Sequence, residues 1–111
     1  MRVLFKEPGK KARTLIVDGS LRALQNLVGG NIEHLKLSEG LGLLCDENGK
    51  IYDRPKNFYL PVLNDWIVGN AIFVGEDGEE FTDISRDHAD LVNLFLRFNA
   101  DTFIPEVSNA E

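Results

Sequence analysis

The chain has 111 residues, 43% apolar and 27% charged, with a formal net charge of −6, the size and balance of one soluble globular domain. An acidic surplus excludes general binding to nucleic-acid phosphates, which demand a basic footprint. No apolar run approaches the roughly 20 residues that span a bilayer, and a single cysteine, Cys45, excludes an internal disulfide and most cysteine-based metal sites.

Val3 and Phe5 alternate with Arg2 and Lys6, as in a strand with one covered face. The apolar run there is too short for a signal peptide. Glu7-Pro8-Gly9-Lys10 is turn chemistry, and Ala12 to Val17 returns as a second strand rich in β-branched residues. Ser20 is placed to cap a helix whose Leu21, Leu24, Leu27 and Val28 form one apolar stripe. Gly29 is placed for the left-handed conformation that ends it. At about two turns, this helix needs a sheet beneath it to persist.

Ile32 to Leu37 and Leu41 to Cys45 read as the third and fourth strands, joined by Ser38-Glu39-Gly40. Asn48-Gly49 is a hairpin signal that predicts a fifth strand over Lys50 to Tyr52. Arg54 to Asp65, with Pro55 and Pro61, reads as an ordered loop with at most one helical turn. Trp66 to Val74 is apolar on both faces, as a central strand is, and Glu80 to Ile84 is a short edge strand. Ser85 caps a last helix, Arg86 to about Phe98, whose apolar residues run almost all round it and whose Asp87 and Asp90 sit near its positive end. Asn99 ends that helix. The domain thus covers 1–100, with a loose tail over 101–111 in which only Phe103 and Ile104 dock.

This order predicts an α+β fold, a β-grasp-like mixed sheet packed by one short helix, plus the C-terminal helix; an unclassified α+β roll is the competitor. Such folds carry many unrelated functions.

The charge is uneven. Residues 1–56 carry ten Lys/Arg against seven Asp/Glu, and residues 57–111 carry two against eleven. The ordinary reading is solvated surface. The sharper one is a basic tip that meets an anion and an acidic flank that meets a basic partner. Lys6, Lys10, Lys11 and Arg13 at the first hairpin, joined by Arg54, Lys56, Asn57 and Tyr59, put donors beside aromatics as a nucleotide-like ligand would want. The ordinary reading, and the favoured one, is a solvated turn plus a loop whose aromatics fill the core.

Catalytic chemistry has little to stand on. Cys45 alternates with Leu41 and Leu43 as a core residue and has no adjacent base to activate it. His34 reads as a surface or rim residue. Asp87-His88-Ala89-Asp90 is an ordinary acidic helix start, with a hard-metal site as its sharper alternative. Val28-Gly29-Gly30 follows a helix rather than preceding one, so it is no phosphate loop. The expectation is a non-enzyme with no cofactor, no metal and no membrane association.

Val3, Glu7-Pro8-Gly9-Lys10, Asp18-Gly19-Ser20-Leu21, Leu24-Gln25, Val28-Gly29-Gly30 and Ile32-Glu33 carry a resemblance that continues through Cys45-Asp46-Glu47-Asn48-Gly49-Lys50, Pro55, Asn57 and Ile67 to Gly75. Over roughly residues 1–75 the chain resembles a family of small proteins of unknown function from bacteriophages and from gut-associated Gram-positive bacteria and their mobile elements. The resemblance implies a phage or mobile-element accessory protein acting in the cytoplasm of a bacterial host cell. Its concrete form is a non-catalytic binder that counters host defence by sequestering a nucleotide-like signal or masking a host protein. The alternative is a structural or regulatory module that oligomerises through residues 86–98. A third, a small hydrolase using His88 with Asp87, is the least favoured.

Overall fold

The computed structural model describes residues 1–99 in full and 100–108 as backbone alone. The tail expected at 101–111, with Phe103 and Ile104, lies outside the fully described residues. Strands β1 (Arg2–Lys6) and β2 (Arg13–Ile16) form the N-terminal hairpin, pairing Leu4 with Thr14. Helix α1 (Leu21–Val28) starts where Ser20 Oγ accepts the Ala23 amide at 3.2 Å. It ends at Gly29, whose φ of 88° lets its N–H reach the Gln25 carbonyl at 2.8 Å. Leu24 and Val28 are buried and Leu27 half-buried, but Leu21, at the exposed start of the helix, faces solvent.

Strands β3 (Ile32–Ser38) and β4 (Leu41–Asp46) form a second hairpin. After a run of turns come β5 (Lys56–Leu60), one 3-10 turn (Pro61–Leu63) and β6 (Asp65–Val68), which pair as a separate two-stranded sheet. Strand β7 (Ala71–Asp77) returns to the main sheet, β8 (Glu80–Thr82) folds back on it, and α2 (Arg86–Ser108) closes the chain. Ser85 Oγ accepts the His88 amide at 3.1 Å, as the capping reading expects. Asn99, expected to end the helix, instead bonds the Phe95 carbonyl within it.

The architecture is the α+β one expected, with one short helix on a sheet and a helix at the C-terminus. The sheet order is β2-β1-β7-β4-β3, with β8 on β7, and every pairing is antiparallel. This corrects the expectation of a mixed sheet. Lys6 at the end of β1 faces Ala71 at the start of β7, and Leu44 near the end of β4 faces Ile72. The chain therefore leaves β4 and enters β7 at one end of the sheet, and β7 must run against both neighbours.

Alternation along the central strands builds two cores. Val3, Phe5, Leu44, Ile72 and Val74 pack under Leu24 and Val28 of α1. Leu4, Leu43, Cys45 and Phe73 face the other way, against Phe58 and Leu60 of β5, Ile67 of β6 and Val92 and Leu96 of α2. The sheet is thus a middle layer, and β7, buried from Ala71 to Gly75, reads apolar on both faces for that reason.

Two local expectations fail. Lys50 to Tyr52 is not a strand. Asp46 Oδ1 accepts the Asn48 amide, and the Tyr52, Asp53 and Arg54 amides return to Asn48, Lys50 and Gly49. This Asx-initiated coil outcompetes a two-residue hairpin. Trp66 to Val74 is not one strand either: Gly69, at φ 75°, breaks it so that β6 and β7 serve different sheets. A third fails in part: Arg54 to Asp65, expected as a loop with one helical turn, has that turn at Pro61–Leu63 but also holds strand β5, which pairs with β6.

Candidate functional site

At the end of the sheet where β1 and β4 finish and β7 begins, the fold gathers several residues read as anion ligands. Lys6 Nζ donates to the Glu7 carbonyl at 2.7 Å and to Asn57 Oδ1 at 2.9 Å. Asn57 Nδ2 in turn reaches the carbonyls of Lys6 at 2.9 Å and Gly69 at 2.7 Å. Partial burial pulls the Lys6 ammonium below its usual pKa, against the opposing pull of Glu7. The ring ties the first hairpin to β5 and to the β6–β7 break.

Arg54 is held more firmly. Its Nε lies 2.6 Å from Oδ2 of Asp46, whose side chain is wholly buried, and its Nη2 donates to the Gly29 carbonyl at 2.9 Å. A cation at the C-terminus of α1 also complements the helix dipole. The glycines explain themselves here. A Cβ on Gly30 would lie 2.9 Å from Asp46 Oδ1, and one on Gly69 would lie 2.8 Å from Arg54 Cδ. The Gly29-Gly30 reversal is therefore the seat of an ion pair with a buried carboxylate as well as a helix stop.

The remaining expected ligands are spread out. Arg13 and Lys10 both turn to Glu7, at 2.8 and 3.6 Å, and the Arg13 hydrogen bond holds that carboxyl below its ordinary range, outweighing desolvation, with help from Lys10. Arg13 also lies over the Phe5 ring. Lys56 stands over Trp66, and the Tyr59 hydroxyl bonds Asn64. Lys11 is exposed. The donors of Lys6, Arg54 and Asn57 are thus turned inward, toward groups of the chain itself.

A second cluster escaped the sequence reading. His34 Nε2 bonds Glu76, and Lys36 Nζ lies 3.4 Å from the same carboxylate. They meet across β4 because Gly42 lies between them, and a Cβ there would come within 2.2 Å of Glu76 Oε2. Phe81 sets its ring edge-to-face with the imidazole, centroids 5.0 Å apart. The Glu76 side chain is 5% exposed. Burial pushes its pKa up, but hydrogen bonds from His34 and Lys36 win and hold it below the usual range. A separation of 42 residues between His34 and Glu76 leaves no local spacing to find.

The other chemical candidates are placed as follows. Cys45 is buried, and burial first, then Glu33 and Asp46, push its thiol up to about 12. Asp87 lies in the first turn of α2, and His88 lies close to Gly40. Among the described residues no group of three or more His, Cys, Asp or Glu is placed to hold a metal ion.

The third feature is a cleft of about 230 Å³ between edge strand β3, the end of β4 and the β5–β6 hairpin. Leu35, Cys45 and Ile67 line its apolar side, Glu33, Glu47 and Asp65 its acidic side, and Ile51 and Leu63 stand at its mouth. Ile51 is 78% exposed, and Leu63 with its neighbour Val62 is exposed too. Lys50 is bonded to Asp65 at one side. Ile51 beside Asn48-Gly49 and Val62-Leu63 after Pro61 were the available signal: apolar residues where turn chemistry calls for polar ones.

The chain belongs to the family described as a domain of unknown function (DUF3846), whose model matches residues 1–97. No curated protein and no solved structure matches it. No helix among the described residues is long and apolar enough to cross a membrane.

Proposed function

We propose that this chain is a non-catalytic accessory binding protein of a phage or mobile element, which works in the cytoplasm of a bacterial host by covering a host protein. The cleft beside β3 carries this reading. At about 230 Å³ it is smaller than the roughly 300–1,000 Å³ typical of small-molecule sites. It has room for side chains of a partner, with an apolar mouth and an acidic flank around it. The rival form, sequestration of a nucleotide-like signal, is the weaker because Lys6, Arg54 and Asn57 spend their donors internally. The phage and mobile-element origin rests on the sequence resemblance.

The test is native mass spectrometry of the chain produced in bacteria, with two variants. Ile51→Asp with Leu63→Asp should abolish retention of a stoichiometric host protein, while Lys10→Glu with Lys11→Glu should leave it intact. Retention of a nucleotide that is lost with the lysine variant would reverse the assignment.

A second reading, self-association through α2, is favoured by one observation. Leu91, Leu94 and Phe98, spaced i, i+3 and i+7, are 56, 58 and 74% exposed. Sedimentation at high micromolar concentration tests it. A monomeric mass unchanged by Leu91→Ser with Leu94→Ser would end it.

A further inference from the structure

We propose that β3 is the docking edge for an extended, basic and apolar segment of the partner, which adds to the main sheet as a further strand and fills the adjoining cleft with its side chains. This rests on the protein-covering reading and specifies how the partner is held.

The backbone argument starts from topology. Strand β3 ends the sheet order, and at seven residues it is longer than β2, the four-residue strand at the opposite end. The Glu47 amide donates to the Asn31 carbonyl at 2.8 Å, so Asn31 faces β4 as a hydrogen-bonded pair. Antiparallel pairing alternates, and the outward-pointing backbone groups therefore belong to Ile32, His34 and Lys36. That row of donors and acceptors is what a peptide uses when it joins a sheet.

Side chains select the occupant. Glu33 and Leu35 lie on the cleft face of β3, two residues apart, with Glu47 and Ile51 beside them. An added strand sends alternate side chains to that face. One beside Glu33 meets its carboxylate, with that of Glu47 across β3 at the end of β4, and is best a Lys or Arg. The next on the same face sits beside Leu35 and the mouth of the cleft and is best β-branched or aromatic. The preferred segment therefore carries a cation and a large apolar residue two positions apart. On the other face, Glu76 already anchors His34 and Lys36, which pins β3 to the sheet, while among the described residues no strand pairs with its outer edge.

The test uses random-peptide phage display on the immobilised full chain, then the tightest peptide made synthetically. Enriched peptides should carry Lys or Arg two positions from a β-branched or aromatic residue. Amide exchange at Ile32, His34 and Lys36 should slow by about tenfold or more on binding. Glu33→Lys with Glu47→Lys, both at exposed positions, should weaken the peptide roughly tenfold while leaving the amide spectrum elsewhere unchanged. No enrichment, enrichment of acidic peptides, or binding with unchanged β3 exchange would each overturn the proposal. So would concentration-dependent protection of β3 in the protein alone, which would make a second copy the occupant. If Ile51→Asp with Leu63→Asp releases the host protein but β3 stays unprotected, strand addition alone falls. If that variant releases nothing, the underlying reading falls with it.

Discussion

Arg54 and Asp46 form an ion pair at 2.6 Å in which the carboxylate is wholly buried and the guanidinium side chain 32% exposed, seated against Gly29, Gly30 and Gly69. One contact thereby joins the end of α1, the end of β4 and the β6–β7 break.

Removing the cation leaves a buried carboxylate with little but the Asn48 amide. Arg54→Ala should cost about 2 to 3 kcal/mol, and Asp46→Asn less, because a neutral amide tolerates the site better. Urea denaturation of the two variants checks the order; equal losses below about 0.5 kcal/mol would mean the pair is surface-like.

Asn57→Ala strips a donor from the Lys6 and Gly69 carbonyls together and should destabilise by about 1 to 3 kcal/mol. Lys11→Ala, at an exposed position, should stay within about 0.5 kcal/mol. The contrast, read from thermal unfolding, separates structural members of the basic set from surface ones.

Glu76 has its folded-state pKa below the unfolded value, so the unfolded chain binds the proton more readily. Its contribution is complete above about pH 5, beyond the ordinary carboxylate range, and is lost as pH falls through the folded value. Glu76→Gln should therefore flatten the acid side of the stability profile. Gly42→Ala, which places a methyl on the same carboxylate, should lower stability at neutral pH as well. Denaturation midpoints across acid and neutral buffers decide both.

Cys45, buried and with its thiol raised to about 12, should resist iodoacetamide at mildly alkaline pH in the folded protein and react promptly in denaturant. Rapid alkylation under native conditions would place the thiol at the surface.

How much of this was legible depends on sequence distance. Ser20, Gly29 and Ser85 act through residues a turn away, and their capping roles were readable. Cys45 was readable from the alternation of β4. The split at Gly69 was not, because a glycine in an apolar run is also compatible with a central strand, and only Arg54 packed against it decides otherwise. Arg54, Lys6 and Asn57 read as a gathering of donors, but their partners, Asp46, the Glu7 and Gly69 carbonyls and one another, are set by tertiary closure. Glu76 sat within an acidic stretch that looked uniformly solvated, and the register of β7 against β4 singles it out.

The two cores on opposite sides of the sheet share strands but not side chains. Substitutions beneath α1 and substitutions beneath the β5–β6 hairpin should therefore add nearly independently. A chain built this way can remodel the outer layer, where Ile51 and Leu63 sit, without disturbing the core beneath α1.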